Sequence, residues 1–297
     1  MIGSAIREMA AVQNSPLVCT AFVEKIVQVW NLSTQQKISE FEARFYSGAR
    51  NLAVHPDGES VITGISRTTG WLCSYKLFSG ELVWQKNRLK YPSYLRFGSS
   101  GEYLFCTLDN RRLERVDART GDTIDVVRKT RHIFEGPGGY ILIIPSVGSD
   151  YLLRKEYEVR IPKLTFAVLD VAFGSDRLCI TESGGPVRCI SYLTGTEHWR
   201  YTPPDGSHVL TLHYNGSDGF FYGILRDYEK GEFRYLVRFD PETGQTSRLC
   251  SLKSWEETFS AATQQLVTSS GEIIDLLNGK VVAELDFPRI EYPDSLR

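Results

Sequence analysis

The sequence lacks the features that mark membrane, secreted and disordered proteins. None of its apolar runs approaches the roughly 20 residues of a membrane-spanning helix. Near the N-terminus, Arg7 and Glu8 stand where a signal peptide has an unbroken apolar centre. With 42% hydrophobic residues, 24% charged residues and a net charge of -2, the composition shows no disorder and no global attraction to nucleic acid. We therefore expect a cytoplasmic protein without a membrane segment.

Cysteine and histidine form no pattern that predicts a metal site. The chain has no CxxC pair, and no cysteine has a histidine at metal-ligand spacing. All six cysteines fall within apolar strand patterns, which indicates buried free thiols: Cys19, Cys73, Cys106, Cys179, Cys189 and Cys250. Cys179 and Cys189 lie on adjacent predicted strands, so a disulfide between them stays open.

Motifs of the common enzyme classes are also absent. The chain has no Gly-x-Ser-x-Gly elbow, no phosphate-binding glycine loop and no His-Glu-x-x-His. Possible metal ligands near the starts of predicted strands repeat at no common position: Glu8, His132, Asp170, His208 and Glu257. We therefore predict no catalytic activity, no metal and no cofactor.

What the chain does have is a repeated strand-turn-strand unit. Residues 27–41, VQVWNLSTQQKISEF, form two short strands around a polar turn, and similar units follow at 72–84, 113–127, 187–199, 236–249 and 273–285. The turns of the later units contain Gly80, Gly121, Gly195, Gly244 and Gly279, which can adopt the positive φ that a tight turn needs.

Further short strands complete seven sets of four, repeating about every 42 residues. This period predicts an all-β fold, a closed seven-bladed β-propeller of four-stranded antiparallel blades that forms one domain over residues 1–285. The set at residues 131–161 is the weakest, because its last turn has no glycine, and the blade count depends on it. Residues 286–297 contain two prolines and no strand pattern, which predicts a draped or loose tail.

At its first repeat the sequence resembles the WD40 repeat family. The motifs that carry this resemblance are Val29-Trp30-Asn31-Leu32-Ser33-Thr34 and His55-Pro56-Asp57-Gly58. Asn31 stands where the family has Asp, and Gln35 replaces the turn glycine. The resemblance implies a rigid, non-catalytic platform that binds other proteins. Quinoprotein-like and lactonase-like propellers share the fold, and the alternative function is therefore an enzyme with a metal or cofactor over the central channel.

The resemblance also implies a binding face, made by the loops before each first strand and those between second and third strands. In the first half of the chain these loops are basic and aromatic: Arg44, Phe45, Tyr46, Arg67, Lys86, Arg88, Lys90, Tyr91, Arg111, Arg128, Lys129 and Arg131. Later loops are acidic around Trp255: Glu182, Asp205, Asp227, Glu229, Glu256 and Glu257. Arginine and aromatic side chains anchor protein interfaces, so we predict that the basic residues and Trp255 bind a partner. A solvated charged rim is the alternative.

The predicted function is thus a protein-interaction platform that acts as a scaffold subunit or as a stand-alone binder, such as a toxin-neutralising immunity protein. The sequence does not distinguish these two roles. The basic loops favour a partner with an acidic surface, whereas the acidic loops and the near-neutral charge argue against nucleic acid. We expect the protein to be a monomer by itself.

Overall fold

The computed structural model consists of strands and turns. It describes residues 2–4, 6–13, 15–22, 25–44, 52–65, 70–108, 112–128, 130–136, 140–145, 152–154, 158–161, 164, 167–227, 233–253, 257–287 and 289–291. Over these ranges it contains no helix long and apolar enough to cross a membrane.

Contacts divide the chain into two compact units. Unit 1 comprises residues 1–128, 254–275 and 281–297, and unit 2 comprises residues 129–253 and 276–280. Each unit is built from four-stranded antiparallel sheets in which every strand pairs with the next along the chain. The period-two pattern of the sequence explains this, because alternate residues of each strand face the two sides of its sheet.

Unit 1 contains the first, second, third and seventh sheets. The first sheet has β2 (Ile6–Ala11), β3 (Leu17–Phe22), β4 (Ile26–Asn31) and β5 (Gln36–Glu42). The second has β6 (Leu52–Val54), β7 (Ser60–Ile65), β8 (Gly70–Lys76) and β9 (Leu82–Leu89). The third has β10 (Pro92–Phe97), β11 (Tyr103–Leu108), β12 (Arg112–Asp117) and β13 (Thr123–Arg128). The seventh has β26 (Glu257–Ser260), β27 (Gln265–Thr268), β28 (Glu272–Asp275) and β29 (Val281–Glu284).

Unit 2 contains the fourth, fifth and sixth sheets. The fourth has β14 (Thr130–Glu135), β15 (Ile141–Pro145), β16 (Leu152–Arg154) and β17 (Glu158–Arg160). The fifth has β18 (Val168–Phe173), β19 (Arg177–Glu182), β20 (Val187–Ser191) and β21 (Glu197–Tyr201). The sixth has β22 (Ser207–Tyr214), β23 (Phe221–Asp227), β24 (Phe233–Phe239) and β25 (Thr246–Leu252). Six predicted strand sets are therefore complete sheets, whereas β16 and β17 of the fourth are described by their backbone alone.

The turn between the third and fourth strands begins with a capping side chain. Asn31 Oδ1 accepts hydrogen bonds from the backbone N–H groups of Ser33 at 2.9 Å and Thr34 at 3.2 Å. Asp117 and Asp240 cap the corresponding turns in the same way, and the N–H groups that they accept lower the pKa of both carboxyls. The amide oxygen of Asn31 accepts the same backbone N–H hydrogen bonds as the carboxylates of Asp117 and Asp240. Asparagine can therefore replace aspartate at this turn position.

Glycine ends this turn because of packing as well as backbone conformation. Gly121 has φ of 78°, and a Cβ there would lie 2.7 Å from Cε3 of Trp84, which projects from β9 of the preceding sheet. Trp84 Nε1 also donates to the carbonyl oxygen of Ala118 at 2.9 Å. In unit 2, Trp199 covers Gly244 in the same manner, with the corresponding Cβ 2.7 Å from Cδ2. The outer-strand tryptophan thus joins neighbouring sheets within each unit.

Gln35 occupies the turn position where the other repeats have glycine. It has φ of 59°, in the left-handed region of the glycines, and its side chain is exposed. The first turn therefore tolerates a side chain at this position, at the cost of the strained φ.

The segment after residue 285 contains a strand, so the prediction of a tail without a strand was wrong. Here β30 (Arg289–Glu291) pairs antiparallel with β1 (Ile2–Ser4). Phe287 is buried, and its ring lies edge-on to Trp30 with centroids 5.2 Å apart. Three residues beside a proline are too few to show a strand period, so the pattern alone did not reveal this pairing.

The cysteines are free thiols, as predicted. Five are buried, whereas Cys250 is partly exposed. Cys179 and Cys189 are directly opposite each other on β19 and β20 without a disulfide. Burial raises the pKa of Cys179 well above its usual value, which keeps this thiol protonated and unreactive.

Candidate interaction surfaces

The fourth strands of unit 1 place the predicted basic residues at one end of its sheets. Arg44 follows β5, Lys90 and Tyr91 follow β9, and Arg128 ends β13. Because all these sheets have the same antiparallel strand order, the ends of their fourth strands are equivalent positions. We call the exposed residues at this end the basic rim: Lys25, Arg44, Arg88, Lys90, Tyr91, Arg112 and Arg128.

Lys86 and Arg88 were predicted to lie in a loop but lie in a strand instead. The sequence predicted a loop at residues 86–93, but β9 continues to Leu89 and includes Lys86 and Arg88. Lys86 Nζ donates to Thr123 Oγ1 at 2.6 Å and lies 3.8 Å from the carboxylate of Glu114. The polar residues at the end of β9 were interpreted as a loop. This strand is an edge strand, and edge strands often carry charged side chains. Lys86 therefore supports the neighbouring sheet, whereas Arg88 is exposed on the basic rim.

The backbone holds several rim residues in a left-handed conformation. Arg88 has φ of 64° and Tyr91 has φ of 48°, which is uncommon for residues other than glycine. Arg44 is fixed differently, since its guanidinium donates to Gln85 Oε1 at 3.0 Å and its backbone N–H donates to the hydroxyl of Tyr75 at 2.9 Å. Burial raises the pKa of Tyr75 to about 12, so this hydroxyl stays neutral.

Lys25 and Arg112 belong to the basic rim but were not predicted. Lys25 lies between β3 and β4, and Arg112 begins β12 directly opposite Arg128. Arg112 Nη2 lies 3.0 Å from Glu114 Oε1, although the Arg112 side chain is about half exposed. The other residues were predicted from loops that include those between second and third strands. Lys25 lies in a loop of that kind, so its position could have been predicted from the sequence.

Several predicted residues lie outside the described part of the chain. These are Phe45, Tyr46, Arg67, Arg111, Lys129, Glu229, Trp255 and Glu256. Arg131 lies in β14, but only its backbone is described. Their assignment to a binding face stays a prediction.

The predicted acidic loops do not all provide exposed acids. Glu182 is fully buried, with its Oε1 2.8 Å from Nε of Arg188, and Asp227 is also buried. Asp205 is exposed and Glu257 is partly exposed. The sequence did not predict that Glu182 and Asp227 are buried, because burial at a strand end depends on which other strands pack against it.

The described residues contain no group of three or more metal-ligating side chains arranged to hold an ion. Of the candidates, Asp170 Oδ2 accepts the backbone N–H of Leu212 at 3.0 Å and so connects β18 with β22. Burial, with a smaller contribution from Arg226, lowers the pKa of His208. The surroundings of Asp170 and His208 within unit 2 therefore indicate structural roles for both residues.

A second surface lies at the opposite end of the second and third sheets. It is a groove of about 1140 Å³ between the turns that follow β6 and β8 and those that follow β10 and β12. Three apolar side chains line it while remaining about half exposed: Phe78 (53%), Val83 (46%) and Ile124 (47%). We call this surface the turn groove.

Neither a protein-family model nor a curated protein sequence matches the chain. Solved structures do resemble it. The structure of U3-55K has a TM-score of 0.67 at 10% identity over 89% of this chain and 88% of that one. The RRP9 WD40 repeats have a TM-score of 0.67 at 11% identity, with coverage of 89% and 86%. The computationally designed Ika8 protein has a TM-score of 0.62 at 15% identity, with coverage of 95% and 86%.

At such low identities the likeness shows the fold alone. The chain is an all-β propeller of four-stranded antiparallel blades, and WD40 repeat structures share this fold. The propeller predicted from the repeats and the resemblance noted at the first repeat are both confirmed at this level.

Proposed function

We propose that the protein is a non-catalytic interaction platform that binds another protein through the basic rim. The observation that carries this proposal is the collection of cations at equivalent strand ends of unit 1, beside the exposed ring of Tyr91: Lys25, Arg44, Arg88, Lys90, Arg112 and Arg128. They outnumber Glu42, an exposed acid at the same end. A partner with an acidic surface would complement this charge.

The fold supports this function over an enzymatic one. Rigid sheets hold the strand ends in place, and the described residues provide no metal-ligand cluster from which a catalytic centre could be argued. The likeness to the RRP9 WD40 repeats adds support by analogy of fold. The platform serves either as a scaffold subunit or as a stand-alone binder of immunity-protein type, working as a cytoplasmic monomer.

We also propose that seven blades close into one ring. Support comes from the seven four-stranded sheets that the described residues form. The fourth sheet decides the count, because two of its strands are described by their backbone alone. An experimental structure with six or eight blades would contradict this part of the proposal.

A charge-reversal experiment tests the basic rim. Wild-type protein captures a partner from a lysate of the source cells, and the purified partner is then titrated against the double variant Arg88→Glu, Arg128→Glu. We expect at least tenfold weaker binding, and association of the wild type that slows as salt is added.

The matched control carries the same change in charge away from the basic rim. It is the double variant Lys37→Glu, Lys280→Glu, whose residues lie exposed beside the turns of the first and seventh sheets and outside the turn groove. It should bind the partner like the wild type. Equal binding by the rim variant and the wild type would show that the basic rim is only a solvated surface.

A further inference from the structure

Several small residues line the turn groove and leave it room. Ser60 and Ser74 come from β7 and β8, and Ser100 and Gly101 from the turn after β10. At this side the groove is rigid, since His55 Nε2 lies 2.8 Å from the carbonyl oxygen of Gly101. A Cβ on Gly101 would lie 2.6 Å from the His55 ring, so glycine is required for the two turns to meet.

Two of the apolar side chains in the groove sit at β-bulges. The pairing of β8 with β9 skips Val83, and the pairing of β12 with β13 skips Ile124. A bulge turns the side chain of the extra residue away from the regular ladder and twists an edge strand. Ile38 is the equivalent residue of β5 and is equally exposed at 47%, but it does not line the groove. Position at a bulge therefore explains the exposure, and the groove brings two such residues to one surface.

Charge is distributed unevenly along the turn groove. The side formed by the first turns carries Asp57, Glu59 and Glu102, whereas the side formed by β12 and the later turns carries Lys76, Arg115 and Arg119 together with Asp117. Lys76 is paired with Glu81 at 2.6 Å. Within the described residues, neither the Glu59 carboxylate nor the Arg119 guanidinium takes part in a hydrogen bond or an ion pair. An acid and a base thus remain available in the turn groove beside its apolar side chains.

We propose that the turn groove is a second binding site, which holds an extended peptide segment of a partner protein. The segment places a large apolar side chain against Phe78, Val83 and Ile124, with a basic residue toward Glu59 and an acidic residue toward Arg119. The volume of about 1140 Å³ exceeds the roughly 300–1,000 Å³ typical of small-ligand pockets, which favours a segment of several residues. The exposed acids on one side disfavour a polyanion, so the site is chemically different from the basic rim.

The experiment selects ligands from a displayed library of random 12-residue peptides, using the full-length protein as bait. Enriched peptides should contain an aromatic or branched aliphatic residue flanked by Lys or Arg on one side and by Asp or Glu on the other. Fluorescence anisotropy with the synthesised peptide should then show at least tenfold weaker binding for Phe78→Ala and Ile124→Lys. Glu59→Lys and Arg119→Glu should each weaken binding about threefold to tenfold.

Two control variants test whether these effects are confined to the turn groove. Ile38→Lys introduces the same charge at an equivalent, equally exposed bulge outside the groove and should leave peptide binding unchanged. Arg88→Glu on the basic rim should also leave it unchanged, so failure of one site does not imply failure of the other. The proposal is overturned if no peptide is enriched, or if Ile124→Lys and Ile38→Lys have the same effect. It is equally overturned if sedimentation shows a dimer that Ile124→Lys dissociates, since a second copy then covers the groove.

Discussion

The third strands of the third and fifth sheets carry opposite charges at an equivalent position. Glu114 in unit 1 and Arg188 in unit 2 each lie three residues before the side chain that caps the following turn, Asp117 and Ser191 respectively. Arg188 is buried and pairs with Glu182, which is fully buried, at 2.8 Å. Glu114 is also buried, but the nearer of its two cations, Arg112 at 3.0 Å, is about half exposed, and Lys86 lies 3.8 Å away.

The difference shows that one fold position can hold a charge in two ways. In unit 2 both partners have lost their water, so each depends on the other. In unit 1 the cation keeps part of its hydration and needs its partner less. At this position unit 2 therefore holds both charges inside, whereas in unit 1 the Arg112 cation reaches the basic rim.

Replacement of Arg188 should produce the largest effect. Arg188→Met removes the arginine that lies 2.8 Å from the buried Glu182 carboxylate, and we expect a loss of about 3–5 kcal/mol in the free energy of unfolding. Glu114→Gln should cost only about 1 kcal/mol, because Arg112 can turn to solvent. Urea denaturation measures both. The double variant Glu182→Leu, Arg188→Met should recover most of the loss, and equal costs at Glu114 and Arg188 would refute the comparison.

Acidification should destabilise the protein through His213, a partly buried histidine of unit 2. Burial lowers the pKa of His213 to about 4, although Asp218 acts in the opposite direction. Between the ordinary value of about 6.5 and pH 4, the unfolded chain binds a proton that the folded chain does not. The free energy of unfolding should thus fall by up to about 3 kcal/mol over this range.

Denaturation curves at pH 7.5, 5.5 and 4.5 measure this loss for the wild type and for His213→Gln. The variant should show a flatter pH profile, since glutamine does not titrate. Parallel profiles for the two proteins would mean that His213 makes no contribution to the acid sensitivity.

Substitution of the turn glycines that lie under a tryptophan ring should lower stability by similar amounts in the two units. Gly121→Ala and Gly244→Ala each force a side chain into a left-handed backbone and against a tryptophan ring 2.7 Å away. We expect each to cost about 2 kcal/mol, measured by thermal unfolding. Gln35→Gly is the control at the exposed turn and should change stability by less than about 1 kcal/mol. A Gly121→Ala variant as stable as the wild type would show that the turn can move away from Trp84.

Charge reversal on the basic rim should produce the smallest change in stability. Arg88→Glu and Arg128→Glu concern exposed side chains, so each should alter the free energy of unfolding by less than about 0.5 kcal/mol. Thermal unfolding of the variants checks this expectation. A larger loss would mean that the basic rim contributes to folding, and binding defects of these variants would then need reinterpretation.

The strands and turns could be predicted because their signals are local. Alternation along β4 and the polar residues after Asn31 are visible in the chain, and the same contacts recur in the structure. The extension of β9 and the pairing of β30 could not be predicted, since the first is a polar edge and the second depends on a partner at the other end of the chain.

The candidate sites divide in the same way. Arg44, Arg88, Lys90, Tyr91 and Arg128 were found from their places near strand ends, because the strand order fixes where those ends lie. The turn groove was missed. Its residues come from four separate turns and their strands between His55 and Ile124, and no sequence window contains them together.

The sequence by itself determined the repeat, the turn chemistry and the propeller fold, because alternation and turn residues act over a few neighbouring positions. Only the tertiary structure decided which charges are buried and which are exposed. Glu182 and Glu114 look alike in the sequence, yet the first meets a buried arginine and the second an arginine that reaches water. Burial depends on the strands that pack alongside, and that information is spread over the whole chain.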